Sequence, residues 1–399
     1  MNVVMTTLFG LESLVADELQ DLGYAREQIT VTDGQVVLDA GSGIALATAR
    51  ANVNLRTAER VLVQLAQYPA RDFETFFEQA RDLPWEDWID RGCAIHVNGY
   101  SRKSVLFGIP ACQSLLKKAI VARLAQAYGL APGSRIREDQ AVGLVRIQFG
   151  IVQDVVTLMV DTSGDGLHKR GYRPLRHEAP IKETLAAGLV KLSLFRPDAG
   201  EVLFDPFCGS GTIPIEAALI SRRIAPGLNR SFAGEHWSLI GQAAFAQAKA
   251  EARERVDRSP AAKPLIFGSD LSAQAATLSA ENARVAGVSD LVRFRAQDVM
   301  RLRLPELKQW TQADAILVIG NPPYGERLLD IEAARDLYQA TCDIFLPQGQ
   351  LAEGIRLSLL TPDADFEKIA GRPADKRRKL YNGMIRCMMY HYYRHPRKM

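Results

Sequence analysis

The stretch Val202-Leu-Phe-Asp205-Pro-Phe-Cys208-Gly209-Ser-Gly211-Thr212 decides the fold. A short apolar run ends in an acid, and two glycines then open a helix predicted over 212–222. On open α/β sheets, ligands sit at the carboxyl ends of strands, which is where this turn falls. Glycine lets the backbone approach a ligand closely, and a helix N-terminus offers unpaired N–H groups. A dinucleotide fingerprint would want a small residue where Pro214 stands, and no GxxxxGK[ST] phosphate loop occurs in the chain. Asp205 would repel a phosphate but suits a ligand that carries an ammonium group. S-adenosylmethionine has that group, a sulfonium and no phosphate. Taken alone, the segment also reads as a tight strand-to-helix turn with no ligand.

Working outward, the same arrangement recurs. Leu265-Ile-Phe-Gly-Ser-Asp270 is a strand ending in an acid, placed to accept from a ribose diol. Asp270 or Ser272 could instead cap the next helix. The next strand, 292–296, runs into Gln297-Asp298, where a carboxylate could accept from an adenine amine. A fourth strand, 315–319, ends in Gly320-Asn321-Pro322-Pro323-Tyr324-Gly325. Two prolines fix two φ angles and remove two donors. The Asn321 side-chain oxygen and the Pro322 carbonyl are left to face one outside donor, such as an exocyclic base amine. Tyr324 is placed to stack on an extruded base. The plain alternative is a rigid Pro-Pro turn with a core tyrosine.

Strands and helices alternate from residue 181 to a fifth strand at 355–360, which implies a parallel sheet with helices on both faces. Segments 378–381 and 384–393 flank Asn382-Gly383, read as a hairpin turn, so an antiparallel hairpin is expected at one sheet edge. Residues 1–161 also alternate, with helices expected at 12–22, 43–56, 73–81 and 111–128 and strands at 35–38, 60–67, 94–100, 143–149 and 152–161. No glycine-rich phosphate loop occurs there, so this half reads as an α/β binding module. Residues 162–180 are rich in Gly, Pro and charge and read as a linker.

The composition is that of a globular protein: of 399 residues, 47% are hydrophobic and 24% charged, with a net charge of +3. That balance excludes a uniformly basic nucleic-acid binder but leaves room for local patches. No apolar run reaches the ~18 residues needed to cross a bilayer, and the N-terminus lacks a basic leader, so a cytoplasmic protein is expected. Five scattered cysteines without a CxxC pair argue against disulfides, a zinc ribbon or an iron–sulfur cluster. His391 and His395 fall on and after a strand, so no metal is expected. Cys208 reads as a packing residue, and Trp85, Trp88 and Phe76-Phe77 as core or lid.

DPFCGSGT (205–212), SD (269–270), QD (297–298) and NPPYGERL (321–328) resemble the motifs of class I S-adenosylmethionine-dependent RNA guanine-N2 methyltransferases with an N-terminal THUMP domain. SGDGLHKRGYR (163–173), APIKETLAAGL (179–189) and KLYNG (379–383) extend the resemblance over nearly the whole chain, to the N-terminal half of bifunctional enzymes acting on 23S rRNA. With one catalytic domain in the chain, the second activity of those fusions is not expected. The resemblance implies a Rossmann-like methyltransferase domain at 181–399. It also implies an N-terminal subdomain at 1–55, a THUMP-like RNA-binding domain at 56–161 and a linker at 162–180. It places the cofactor at Asp205, Phe207, Gly209, Gly211, Thr212, Asp270 and Asp298, and the reacting base at Asn321, Pro322, Pro323 and Tyr324. Phosphate contacts are expected from Lys169, Arg170, Arg173 and Arg176, and from Lys376, Arg377 and Arg378 in the basic tail, although a basic run can equally be a solvated face. The expected activity is methylation of a guanine N2 amine in RNA, with 23S rRNA or an assembling large subunit as partner. The alternatives are an adenine-N6 methyltransferase and a non-catalytic RNA-binding or ribosome-assembly factor.

Overall fold

A computed structural model describes residues 1–131, 136–173, 181–237, 239–259, 261, 263–324 and 331–394. Arg176, His395 and residues 325–328 of the NPPYGERL motif lie outside the described residues.

The N-terminal elements are β1 (Asn2–Thr7), α1 (Glu12–Asp21), β2 (Ile29–Thr32), β3 (Gln35–Asp39), α2 (Ile44–Asn54) and β4 (Ala58–Pro69). There follow α3 (Phe73–Arg81), β5 (Cys93–Arg102), α4 (Ile109–Ala127), β6 (Asp139–Val152) and β7 (Val155–Asp161). Their seven strands form one sheet in the order β2-β3-β1-β4-β7-β6-β5. Its first part is a βαββαβ unit that β4 completes, so the strand beginning at Ala58 belongs to the sheet begun by residues 2–7. Asp72 caps α3 by accepting from the Thr75 amide at 2.7 Å. Phe76 of α3 meets Phe149 of β6 edge to face, and Trp85 is fully buried, so these aromatics are core.

The second half contains α5 (Glu183–Leu192), β8 (Val202–Asp205), α6 (Thr212–Ser221), α7 (Gly241–Glu254), β9 (Ile266–Asp270) and α8 (Ala273–Val285). It continues with β10 (Val292–Ala296), α9 (Leu304–Thr311), β11 (Ile316–Gly320), α10 (Ile331–Phe345), β12 (Ile355–Thr361), α11 (Phe366–Ile369), β13 (Lys376–Asn382) and β14 (Ile385–Tyr392). The strand order is β10-β9-β8-β11-β12-β14-β13, with β8 to β12 parallel and β14 antiparallel to both its neighbours. This is the expected doubly wound sheet with a terminal hairpin. Central strands β8 and β11 are buried along their whole length, which is why they read as continuous apolar runs. Each Leu, Ile or Phe fully buried there contributes about 1.5–3 kcal/mol. Pro214 lies in the first turn of α6, where a missing N–H leaves no helical bond unmade.

One sequence expectation needs correction. Asn382 pairs with Ile385, so the two-residue loop is Gly383-Met384 and not Asn382-Gly383. Gly383 has φ +63°, the first loop position that glycine takes in a type II′ turn. By packing, the described chain forms two compact units. One compact unit comprises Met1–Thr7, Ala16–Leu167 and Arg230–Ala252; the other comprises Leu8–Val15, His168–Asn229 and Arg253–Met399. In the second unit Leu11 is fully buried, packed where Gly188 of α5 leaves room. The first unit holds most of α7, where Glu251 pairs with Arg50 of α2 at 2.7 Å.

Candidate active site

The turn after β8 is built by its own backbone. Gly209 and Gly211 have φ of +52° and +80°. A side chain at Gly211 would also come within 2.9 Å of Ser279 of α8, so both conformation and space demand glycine there. The Gly209 amide donates to Asp270 Oδ2 at 3.0 Å, and Ser279 Oγ donates to the Gly209 carbonyl at 2.8 Å. The carboxyl ends of β8 and β9 are thereby fixed to each other. Asp270 Oδ1 accepts from the Ser272 amide, while Ser272 itself caps α8, so Asp270 positions the turn and the cap falls to its neighbour. Asp298, half-buried after β10, accepts from the Met300 amide at 2.9 Å. The Thr212 hydroxyl accepts from Arg173 at 3.1 Å.

Asp205 is 1% exposed. Its Oδ1 accepts from the Phe207 amide at 3.0 Å, and among the described residues no cation pairs with it. Burial pushes its carboxyl up to about 8; the Phe207 N–H opposes this and the nearby Asp270 adds to it. A bound ammonium would reverse the shift, so this carboxyl fits the α-amino group of S-adenosylmethionine. Burial holds the Cys208 thiol well above its usual range, so it is no thiolate nucleophile.

β11 delivers the NPPY segment beside this turn. A side chain at Gly320 would come within 3.1 Å of the Phe207 ring and 3.5 Å of Asp205 Oδ1, so the two motifs touch. Asn321 Oδ1 is buried, and nothing among the described residues donates to it. Pro322 is buried and Pro323 half-buried. Tyr324 is held in a way the sequence did not suggest. Asn382 Nδ2 donates to its hydroxyl oxygen at 2.8 Å, and the Cys387 thiol lies 3.4 Å from the same atom. Its ring packs against the core between the sheet and its helices, and burial raises its pKa. The KLYNG motif therefore supplies the anchor of the NPPY tyrosine.

The cations expected to grip phosphate divide between the interior and the surface. The Arg170 guanidinium faces Glu216 of α6 at 3.4 Å, with side chains 2% and 0% exposed, and Tyr172 donates to the same carboxylate at 3.0 Å. A buried carboxylate demands such partners, so Arg170 is withdrawn from the surface. Arg173 binds Glu183 at 2.7 Å as well as Thr212. Arg377 pairs with Glu367 at 2.7 Å, and Arg378 donates to the Gly10 carbonyl and Ser13. Lys169 and Lys376 are both exposed. His391 is buried with Nδ1 2.9 Å from Ser358 Oγ, and burial lowers its pKa to about 4, a structural histidine.

In the first unit, parallel register sets His96 beside Arg146 and Asn98 beside Gln148 on one face of β5 and β6. With Arg60 and Asp161 they line a cleft of about 120 Å³. Sequence reading passed over these residues, though their alternation with Ile95, Val97, Val145 and Ile147 was visible.

The glycine turn, the acid and the NPPY segment thus lie together at neighbouring strand ends. The profile of the RMKL-like methyltransferase domain matches residues 170–391. The chain belongs to this family. Upstream, the RlmL ferredoxin-like domain matches residues 2–62 and the THUMP domain residues 70–161. This RMKL-like chain is 39% identical to “Putative RNA methyltransferase YpsC” of Bacillus subtilis, over 98% of its own length and 96% of that protein. It is 32% identical to “Ribosomal RNA large subunit methyltransferase K/L” of Syntrophotalea carbinolica over 96% of its length, but spans only 52% of that protein. The crystal structure of SMU.472 complexed with SAH superimposes with a TM-score of 0.84, 36% identity and coverage of 100% and 99% of the two chains. A Listeria monocytogenes structure described as a “predicted N6-adenine-specific DNA methylase” gives 0.83, 38%, 98% and 96%. The RMKL-like fold is thus a class I methyltransferase sheet preceded by a THUMP module, and its methyl donor is S-adenosylmethionine. Among the described residues no His/Cys/Asp/Glu group could hold a metal ion, and no helix is long and apolar enough to cross a membrane.

Proposed function

We propose that the protein methylates the exocyclic N2 amine of a guanine in RNA, with large-subunit 23S rRNA as substrate, in the cytoplasm. The observation that carries the reading is the buried Asn321 Oδ1 beside the Asp205 turn, which has no donor among the described residues. A buried amide oxygen without a donor costs about 1–3 kcal/mol, and an amine N–H in the site would repay it. S-adenosylmethionine, when bound, supplies an electrophilic methyl group. Asn321 Oδ1 and the Pro322 carbonyl accept the two N–H bonds of the amine and aim its lone pair at that methyl. Alignment does most of the work and no strong base is required for the attack; the sulfonium would leave as the neutral thioether and the proton of the methylated amine would pass to solvent. Asp205 would hold the donor's ammonium, and Asp270 and Asp298 would accept from its ribose and adenine.

The THUMP match and the donor-rich cleft at His96, Asn98, Arg146 and Gln148 support RNA over DNA. The K/L relatives act on large-subunit rRNA by their name, which supports 23S rRNA. The test is nucleoside mass spectrometry of 23S rRNA from a deletion strain, before and after incubation with the purified protein and S-adenosylmethionine. The expected product is N2-methylguanosine at one mapped position. N6-methyladenosine as the product would replace the reading with the adenine alternative.

A further inference from the structure

The hairpin of β13 and β14 carries an apolar tip that the core does not use. Met384 is 97% exposed, the second residue of the tight loop opened by Gly383. Ile385 beside it is 45% exposed. The tip is not adrift. One step back on β13, Asn382 donates to the Tyr324 hydroxyl, and Leu380 and Cys387 pair beneath it and are buried. The other face of the hairpin pairs Tyr381 with Arg386. Phe9 meets the Tyr381 ring edge to face at 6.0 Å, and Lys379 Nζ lies 5.5 Å from its centre. An exposed methionine thus stands on a braced, cation-flanked hairpin bonded to the segment that presents Asn321.

A base inside a helix cannot offer its amine to a buried acceptor until it leaves the stack. Apolar side chains, methionine among them, fill the gap left between base steps by proteins that unstack nucleic acid. We propose that Met384 is the wedge that occupies the place of the target base in the RNA stack, with Lys379 and Arg386 on the adjoining phosphates. The proposal rests on the base-amine reading above and goes further by naming how paired RNA is opened. The Asn382–Tyr324 bond makes the wedge and the base acceptor move as one piece, so entry of the wedge and seating of the base are coupled.

The test uses the full chain and two RNA oligonucleotides centred on the nucleotide mapped by mass spectrometry, one folded as a hairpin with that nucleotide paired and one designed to be unpaired. Single-turnover methyl transfer is measured for wild type, Met384→Ser and Met384→Leu, with S-adenosylhomocysteine affinity and melting temperature checking the fold. The loss in Met384→Ser should be ~10-fold greater on the paired than on the unpaired RNA, and Met384→Leu should restore most of it. Equal losses on both RNAs, or no loss, overturn the wedge and leave the base-amine reading standing. Wild type methylating neither RNA overturns that reading and the wedge with it.

Discussion

Two acids end strands in the two sheets, and they are used differently. Asp161 ends β7 in the first unit and Asp205 ends β8 in the second; both are buried. Asp161 is bonded to Arg60 and accepts from the Ser163 amide at 2.9 Å. Burial raises its pKa, and Arg60 opposes the rise. Asp205 has the same burial penalty and no cation among the described residues to offset it. A completed ion pair belongs to the architecture. A buried acid left without one stores free energy that a cationic ligand releases, and here it stands beside the glycine turn and the NPPY segment.

If the second sheet alone carries chemistry, Asn321→Ala should lower single-turnover methyl transfer by ~10²–10³, the usual loss for one positioned polar contact. S-adenosylhomocysteine affinity, read by calorimetry, should stay near wild type because Asn321 Oδ1 is hydrogen-bonded to none of the acids proposed to hold the cofactor. Tyr324→Phe sharpens the point in the same assay. It keeps the ring but leaves the Asn382 amide without its acceptor, so its loss should be measurable though smaller than that of Tyr324→Ala.

Neutralising the two acids should have opposite effects. Asp205→Asn removes an uncompensated buried charge, so at pH 8 the ligand-free protein should gain on the order of 1–3 kcal/mol in urea unfolding while cofactor binding weakens ~10–100-fold. Asp161→Asn should lose on the order of 1–3 kcal/mol, because Arg60 is left without its charge partner. The sign for Asp205 follows from linkage. Its folded pKa lies above the unfolded value near 3.8, so the folded state binds more protons between the two. Stability from this group is full below pH 4 and falls as pH rises toward about 8, and Asp205→Asn should flatten that decline. A smaller effect is expected in the first sheet: Arg146→Ala should weaken RNA binding several-fold and reduce the salt slope by ~1, with cofactor affinity unaffected.

Much of the second sheet was legible because buried parallel strands announce themselves as apolar runs closed by acids. What stayed hidden depends on contacts far apart in sequence. Nothing local to Arg170 says that Glu216 lies buried beside it, and nothing local to Tyr324 points to Asn382. Residues 8–15 look like the start of the first half, yet Leu11 belongs to the core of the second. Some signals were present and passed over. Asp33-Gly34 joins β2 to β3 as a hairpin whose strands are short, and the alanine-rich run at 241–254 is a helix.

The most direct measurement of the claim that Asp205 awaits a cation is proton release on cofactor binding. At pH 6.5 the α-amino group of S-adenosylmethionine is already charged, its ordinary pKa being about 7.7–8.0, and Asp205, with its carboxyl at about 8, is protonated. Forming the ion pair must then expel the Asp205 proton. Calorimetric titrations in buffers of different ionisation enthalpy should show close to one proton released by wild type and almost none by Asp205→Asn. Binding by wild type without proton release, or equal release by both proteins, would contradict the account.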